Sequence, residues 1–481
     1  MSRPGINACG AYLPHLRLKR ATIAAATSWL RSGGSSGHGE RSFCNWDEDA
    51  VTMAVEAARH CLGDRDRSRI AQLVLGSTTL PFADRSNAGI VAGALDLSRD
   101  ARCADVCGSQ RAGTSALLQA LDCDADDRDV LVVASDRRLA KPGSPQELAY
   151  GHGAAAVLVG TDHVLAEFVG GASVHADFVD HYRSATGQFD YGLEERWIRD
   201  EGHLQLLPEA IDAALAAADL DPAQVSRAIL PVPTRTATML ARRLNLPAES
   251  LAADPAAECG NIGVGHPLLR LAQTLASAAS GDLILLAGFG QGADALLLRV
   301  TDAARETSRR PDVAQVLARR SEEAHYSRFL SHCGLLAVDF GMRAERDNRT
   351  AQSASYRRDR DLLAFVGGRC TACGAVQFPR SHACVNPACR AMESQVEYPL
   401  AETVGRVKTF TEDWLAYSAR PPLVYGNVAL EGGGNAFIEF ADTDPGELAV
   451  GTPVRFTFRI KDVDRLRGFH RYFWKATPAR D

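Results

Sequence analysis

The chain has 481 residues, of which 46% are hydrophobic and 23% charged, and its formal net charge is −6. That length predicts two or three domains with sizeable cores, and the absence of a long basic run argues against nucleic acid or an anionic membrane surface as a partner. No apolar run reaches the roughly 18 residues of a membrane span, the start MSRPGINACGAYLPHLRLKRAT lacks a signal-type apolar core, and most of the twelve cysteines are isolated, so a cytoplasmic location is expected.

In chain order, AQLVLGSTT (71–79) reads as a buried strand. ADVCGSQRAGTSALLQAL (104–121) has the form strand, Gly-rich turn, helix. DVLVVASD (129–136) and GAAAVLVG (153–160) follow as strands. His152, just before the latter, is either structural or functional. The same order then recurs. RAILPVPTR (227–235) is a strand, CGNIGVGHPLLRLAQTLASA (259–278) a Gly-rich turn and helix, and GDLILLAGFG (281–290) and ADALLLRV (293–300) are closing strands. Short apolar runs broken by glycine and alternating with helical patterns argue for an α/β fold, and the repeated order argues for a duplication. Between the halves lies DFVDHYRSATGQFDYGLEERWIRDEGH (177–203). Either it lines a substrate tunnel, with Asp180, His181, Tyr182 and Tyr191 as reachable acids and bases, or it is solvated surface.

After Val300 the chain becomes charged, and residues 343–361 read as an exposed connector. Cys370-x2-Cys373 and Cys384-x4-Cys389 follow, a spacing that can place four thiolates around one tetrahedral zinc. Gly374 suits the tight knuckle. Four protein ligands leave no open position, so the zinc is expected to be structural. GRVKTFTEDWL, VYGNVALE, NAFIEFAD and PVRFTFRIKD are strand-like runs that suit a small barrel. The domain reading is 1–165 and 166–302 for the two halves, 303–359 for a helical and polar connector, 360–395 for a zinc ribbon and 396–481 for the barrel.

The two Gly-rich helix starts carry Gln110 and Asn261. Both side chains are uncharged amides that can donate to a thioester oxygen, as can the helix N–H groups beside them, although both residue types also cap turns. His266 lies about one and a half turns beyond Asn261.

These motifs resemble the thiolase superfamily over roughly residues 1–302, specifically 3-hydroxy-3-methylglutaryl-CoA synthase and the chain-initiating ketoacyl synthases. DVCGSQRAGTSAL is similar to that family's cysteine turn, CGNIGVGHPLLRLA to its Gly-Asn turn and GFGQGADALLLRV to its closing hairpin. GGRCTACGAVQFPRSHACVNPAC resembles the rubredoxin-like knuckle of zinc-ribbon/OB-fold proteins that accompany acyl-CoA thiolases. The resemblance implies a duplicated five-layer αβαβα body, a rubredoxin-like zinc ribbon and an OB-type barrel. It also implies coenzyme A as part of the substrate, a homodimer, and a thiolase or acyl carrier as a further partner.

The departures shape the expected chemistry. Aligned on Gly113 and Thr114, the family's cysteine falls on Gln110, and Cys107 lies near the strand end. Pro231 stands at the family's histidine, Thr79 at its general-base glutamate, and Asn261 alone matches. Glutamine cannot supply a thiolate. Thiolase-like chains without the cysteine resemble the aldolases of steroid side-chain degradation. The expectation is therefore non-covalent retro-aldol or retro-Claisen cleavage of a β-hydroxy- or β-ketoacyl-CoA. Asn261 and Gln110 are the expected donors, with His266, Tyr182 and His181 the acid/base candidates. The alternatives are a condensing acyltransferase, a decarboxylase and a non-catalytic partner that docks a thiolase.

Overall fold

Apolar runs such as IAQLVLG, DVLVVASDR and LILLAGF become strands of a nine-stranded sheet. The computed structural model describes residues 4–30, 37–122, 128–305, 312–349 and 351–480. They fall into two units. One comprises the chain up to Asn45, Asp49–Gly89 and Leu97–Cys333; the other comprises Trp46–Glu48, Ile90–Asp96 and Gly334–Asp481.

In the first unit the strands are β1 (Gly5–Tyr12), β2 (Ile70–Gly76), β3 (Arg102–Val106), β4 (Asp129–Arg137), β5 (His152–Gly160), β6 (Ala166–His175), β7 (Arg227–Ile229), β8 (Leu283–Phe289) and β9 (Gly292–Val300). Their spatial order is β7-β8-β9-β6-β1-β5-β4-β2-β3. The duplication is visible in that order. Each half starts with a first strand (β1, β6) paired antiparallel to its last (β5, β9), which is antiparallel to the fourth (β4, β8), itself parallel to the second (β2, β7). The third strand, β3, lies parallel to β2; in the second half it is reduced to a parallel bridge between Ala228 and Leu251.

The halves join where Gly5 pairs with Glu167 and Ile6 with Ala166. So short a junction lets the sheet fold on itself. Helices α2 (Ala112–Asp122) and α4 (His266–Ser277) pack against strands of both halves and form the middle layer. Helix α1 (Ala50–Leu62) covers the outer face of β1, β5 and β4, and α3 (Leu204–Ala217) that of β6, β9 and β8. The result is the five-layer αβαβα body. The alternation along β8 makes the layers possible: Ile284 and Leu286 join the core around α2 and α4, while Leu283, Leu285 and Ala287 join the core under α3. At its start α1 is capped by Asp49, whose carboxylate accepts from the Val51 and Thr52 N–H groups.

One predicted strand is shorter than the sequence suggested. RAILPVPTR pairs only at Arg227–Ile229, because Pro231 and Pro233 bring no N–H to a ladder, and a helix starts at Thr234. The segment Tyr326–His332 is helical and belongs to the first unit, with Phe329 buried. No described helix is long and apolar enough to cross a membrane.

In the second unit, β10 (Val366–Cys370), β11 (Val376–Gln377) and β12 (Gln395–Pro399) form a three-stranded sheet in the order β11-β10-β12. Strands β13 (Gly405–Asp413), β14 (Leu423–Leu430), β15 (Asn435–Glu439), β16 (Pro453–Asp464) and β17 (Phe469–Pro478) form a five-stranded sheet in the order β15-β14-β13-β16-β17. A bridge between Phe440 and Ala476 brings the two edges of that sheet together, a closure compatible with an OB-type barrel. Its core is aromatic: Phe365 meets Phe456 edge-on at 4.9 Å and lies 6.1 Å from Trp474.

The middle layer rests on a buried charge. Asp294 on β9 is fully buried and pairs with Arg111 at 2.6 Å, and it accepts from Ser173, Thr114 and Ser115. Replacing Asp294 by alanine leaves Arg111 without its counter-charge and should cost about 3–5 kcal/mol. A denaturant titration should show this, with the exposed Glu209→Ala staying within about 0.5 kcal/mol of wild type.

Candidate functional site

A cavity of about 700 Å³ opens at the Gly-rich ends of α2 and α4. Gln110, Pro231 and Asn261 all line it, although 121 and 30 positions separate them in the chain (231 − 110 and 261 − 231). No cysteine is among the described residues that line it. Two amides and a proline from distant parts of the chain thus meet in one place.

Each amide is oriented by its hydrogen bonds. Thr78 donates its hydroxyl proton to Asp136, at 3.1 Å, so its oxygen can only accept from Gln110 Nε2, also at 3.1 Å. Asn261 Oδ1 accepts the Gly263 N–H at 2.9 Å, which leaves Nδ2 as a free donor. The Asn261 backbone is tied to the strand-like stretch beside it: its N–H donates to Ala149, and its carbonyl accepts from Gly151.

Two carboxylates hold the turns. Asp294, from the second half, anchors the α2 start through Arg111, Thr114 and Ser115. Asp136, at the end of β4 in the first half, is fully buried and accepts from the Val264 N–H beside α4 at 3.0 Å. It also accepts from Ser77, Thr79 and the Thr78 N–H. Gly263 has φ +66°, and a Cβ there would stand 2.3 Å from Asp136 Oδ2, so only glycine fits. Thr79 gives its proton to Asp136 and accepts the Arg137 N–H, so it takes no part as a base.

Cys107 and Cys259, beside the two turns in sequence, are poor nucleophiles. Burial pushes the Cys259 thiol up to about 12. Cys107 is exposed, yet partial desolvation, with Asp105 and Asp136 nearby, raises its thiol too.

The histidines divide by their partners. His152 is fully buried: Nδ1 accepts from the Cys44 N–H, and Nε2 donates to the Arg138 carbonyl. Burial keeps it neutral, which makes it structural. His266 lines the cavity, but Nε2 is bonded to Asp254 at 3.0 Å and Nδ1 faces the Ile262 N–H at 3.4 Å, so neither nitrogen is open to substrate. Burial acts to raise the Asp254 carboxyl, but His266 and Arg270 outweigh it and hold that carboxyl well below the usual range. His181 is different. Its Nδ1 is bonded to Asp180 at 2.8 Å, and Nε2 has no hydrogen-bond partner among the described residues. It lines the cavity with Asp180.

The segment 177–203 therefore lines the cavity in part. A buried clamp holds it in place: Asp190 accepts from Arg138 at 2.6 Å, Tyr150 at 3.0 Å and Arg183 at 3.0 Å, and Arg183 also bonds the Thr78 carbonyl. Tyr182 and Tyr191 stand apart from the cavity lining. They are 54% and 61% exposed and pack on each other at 5.5 Å, so the structure does not bring Tyr182 to the other candidates.

Among the lining residues that were not singled out from the sequence are Asp254, Arg138 and His203. Asp254 and Arg138 are partners of residues far away in the chain, which no local pattern shows. His203 ends a π-helical turn, Ile198–His203, that leads into α3. Just beyond it, Pro208 cannot donate to the Leu204 carbonyl, which Arg243 takes instead. Widened turns of this kind often mark functional positions.

The second unit holds the metal centre. Sulfur atoms of Cys370, Cys373, Cys384 and Cys389 all lie within 4.8 Å of one another, with Cys370–Cys389 at 3.9 Å and Cys373–Cys384 at 3.6 Å. Zinc–sulfur bonds of about 2.3 Å require edges of about 3.8 Å in a tetrahedron, so the four thiols fit zinc.

Comparison with known proteins agrees with both parts. Residues 360–393 match the family of the ChsH2 rubredoxin-like zinc ribbon domain. A hydroxymethylglutaryl-CoA synthase of Archaeoglobus fulgidus is 30% identical over 343 residues, covering 68% of this chain and 98% of the relative. Among solved structures, MvaS in complex with 3-hydroxy-3-methylglutaryl coenzyme A superposes with a TM-score of 0.59 at 24% identity, covering 69% of this chain and 92% of that one. The 3-oxoacyl-[acyl-carrier-protein] synthase III of Aquifex aeolicus gives a TM-score of 0.53 at 20% identity, covering 62% and 99%. These two likenesses show the thiolase-type fold.

Two outcomes are expected. Metal analysis of purified protein should find one zinc per chain, and Cys373→Ser should lose it and expose residues 366–399 to trypsin, since metal energy is folding energy in such a knuckle. Acid should also weaken the first unit. Desolvation lowers His203 to about 4 and keeps His152 neutral, so between about pH 6.5 and 4 the unfolded chain binds more protons than the folded one. The thermal midpoint should fall across that window as pH falls; a flat profile would contradict it.

Proposed function

The chain belongs to the hydroxymethylglutaryl-CoA synthase family, and from that premise we propose that it breaks a carbon–carbon bond in a β-hydroxy- or β-ketoacyl-CoA without a covalent acyl-enzyme. The observation that carries this reading is the cavity lining: two amides and an open imidazole, with no thiol among its described residues. The relatives' name itself describes a β-hydroxyacyl-CoA, the class of compound that a retro-aldol step cleaves.

The proposed step uses groups that are free. In a β-hydroxyacyl-CoA, His181 Nε2, with Nδ1 held by Asp180, takes the β-hydroxyl proton; in a β-ketoacyl-CoA a water first adds to the β-carbonyl and His181 takes a proton from the resulting gem-diol, so that the carbonyl product is a carboxylic acid. The Cα–Cβ bond breaks, a carbonyl product forms, and the electron pair passes to the thioester enolate. Asn261 Nδ2 donates to the enolate oxygen, with the remaining Gln110 amide proton beside it. The enolate carbon then recovers the proton from His181, which closes the cycle. A zinc held by Cys370, Cys373, Cys384 and Cys389 would have no open position and would serve the fold rather than this step.

The same reading includes a homodimer. Strand β3 ends the sheet with Arg102, Cys103 and Ala104 exposed, and its unpaired edge suits pairing with a second copy. Light scattering at micromolar concentration should give twice the chain mass.

The activity test is carbon–carbon cleavage of a panel of β-hydroxy- and β-ketoacyl-CoAs. Asn261→Ala should lose about a hundred- to a thousand-fold in rate. His181→Gln should lose about a hundred-fold or more. A variant with Cys107 and Cys259 both changed to alanine should keep wild-type rates. Loss of activity in that double variant alone, with an acylated wild type in the mass spectrometer, would make the chain a condensing acyltransferase. No reaction with any substrate would favour a docking partner of a thiolase.

A further inference from the structure

His203 is a cavity residue that the proposed step leaves unused. Its ring sits against Phe289, with centroids 4.6 Å apart and planes at 76°. Gly202 before it is buried, and a Cβ there would stand 2.6 Å from Phe178 and 3.0 Å from Phe289, so the bare backbone is what lets the turn press this close. Among the described residues, Nδ1 is buried without a hydrogen-bond partner and Nε2 has none either, and the residue lines the cavity.

The two nitrogens are therefore unequal. A proton on Nδ1 would be an unsatisfied buried donor, whereas a proton on Nε2 can meet a ligand. The ring places its proton on Nε2. A second proton is disfavoured for the same reason, and burial lowers the imidazole to about 4. Near neutral pH the group is an uncharged donor aimed at the cavity. Asp180 lies close enough for its charge to act on His203, which puts the donor on the same side as the Asp180–His181 pair.

Resting on the lyase reading of this cavity, we propose that His203 is a substrate-contacting residue whose Nε2–H donates to the β-oxygen of the acyl-CoA. His181 takes the proton from that oxygen while His203 holds the alkoxide that remains. The neighbouring wall is apolar, with Ile198, Pro231, Val232 and Phe289. The ligand class is a β-oxygenated acyl-CoA, with its β-oxygen as the polar point read on an otherwise apolar acyl group.

The experiment is calorimetric binding of 3-hydroxybutyryl-CoA and butyryl-CoA to the full-length wild type, His203→Leu and His203→Gln at pH 7.5. Wild type should prefer the hydroxylated ligand by roughly five- to tenfold, the span of one neutral hydrogen bond. His203→Leu should bind both ligands alike, with butyryl-CoA affinity unchanged. His203→Gln should keep the preference, because its amide nitrogen is also a donor. A preference that survives in His203→Leu overturns the inference, as does a wild type with no preference. Equal loss of both ligands in His203→Leu makes the residue a packing element and overturns it as well. A wild type that discriminates through His203 yet cleaves nothing would remove the lyase reading and leave this one. Cleavage with a preference indifferent to His203 would do the reverse, and binding of neither ligand would end both.

Discussion

Asp136 and Asp294 are carboxylates with no solvent exposure, and each ties residues of its own half to a turn of the other. Asp294, on β9, gathers Arg111, Ser173, Thr114 and Ser115 and so holds the start of α2. Asp136, on β4, holds the Val264 N–H and the threonines after β2. A buried carboxylate tolerates such a place only when donors surround it. That requirement locks two turns, from distant parts of the chain, into one wall of one cavity. Gln110 and Asn261 inherit their positions from it.

The duplication supplies the frame, and its one irregularity shapes the site. In the first half the third strand is complete as β3. In the second it is reduced to the bridge at Leu251, and the chain continues at once to Asp254. Asp254 is then free to bond His266 at the start of α4, with Arg270 one turn later. The segment 177–203 also lines the cavity and is held by Asp190, Arg138, Tyr150 and Arg183.

Four histidines in this unit show how hydrogen bonds assign chemistry. His152 and His266 have both nitrogens engaged and act as struts. His181 has one nitrogen fixed by a carboxylate and the other open. His203 has one nitrogen sealed in an apolar wall. The same side chain thus offers a strut, an acceptor and a donor, and the difference lies entirely in what packs around each ring.

Much of this was legible in the sequence because its physical signal is local. The four cysteines carry their spacing with them, and a zinc knuckle needs little else. Apolar runs punctuated by glycine declared β2 to β5 and β7 to β9, and their repeated order declared the duplication and its two amides at the helix starts; β1 and β6, which open the two halves, were not read as strands. Strand RAILPVPTR was overextended because its prolines were read as part of the run, although a proline has no N–H for the ladder. In the segment 177–203 the sequence could name candidates and could not choose among them. An irregular loop has no period, so nothing in its order says that His181 and His203 face the cavity while Tyr182 and Tyr191 face solvent. Spacing also could not show that Asp136 and Asp294 cross between halves, or that Asp254 seals His266. Such contacts join residues far apart in the chain, and only folding, which must satisfy every buried charge and polar group, brings them together.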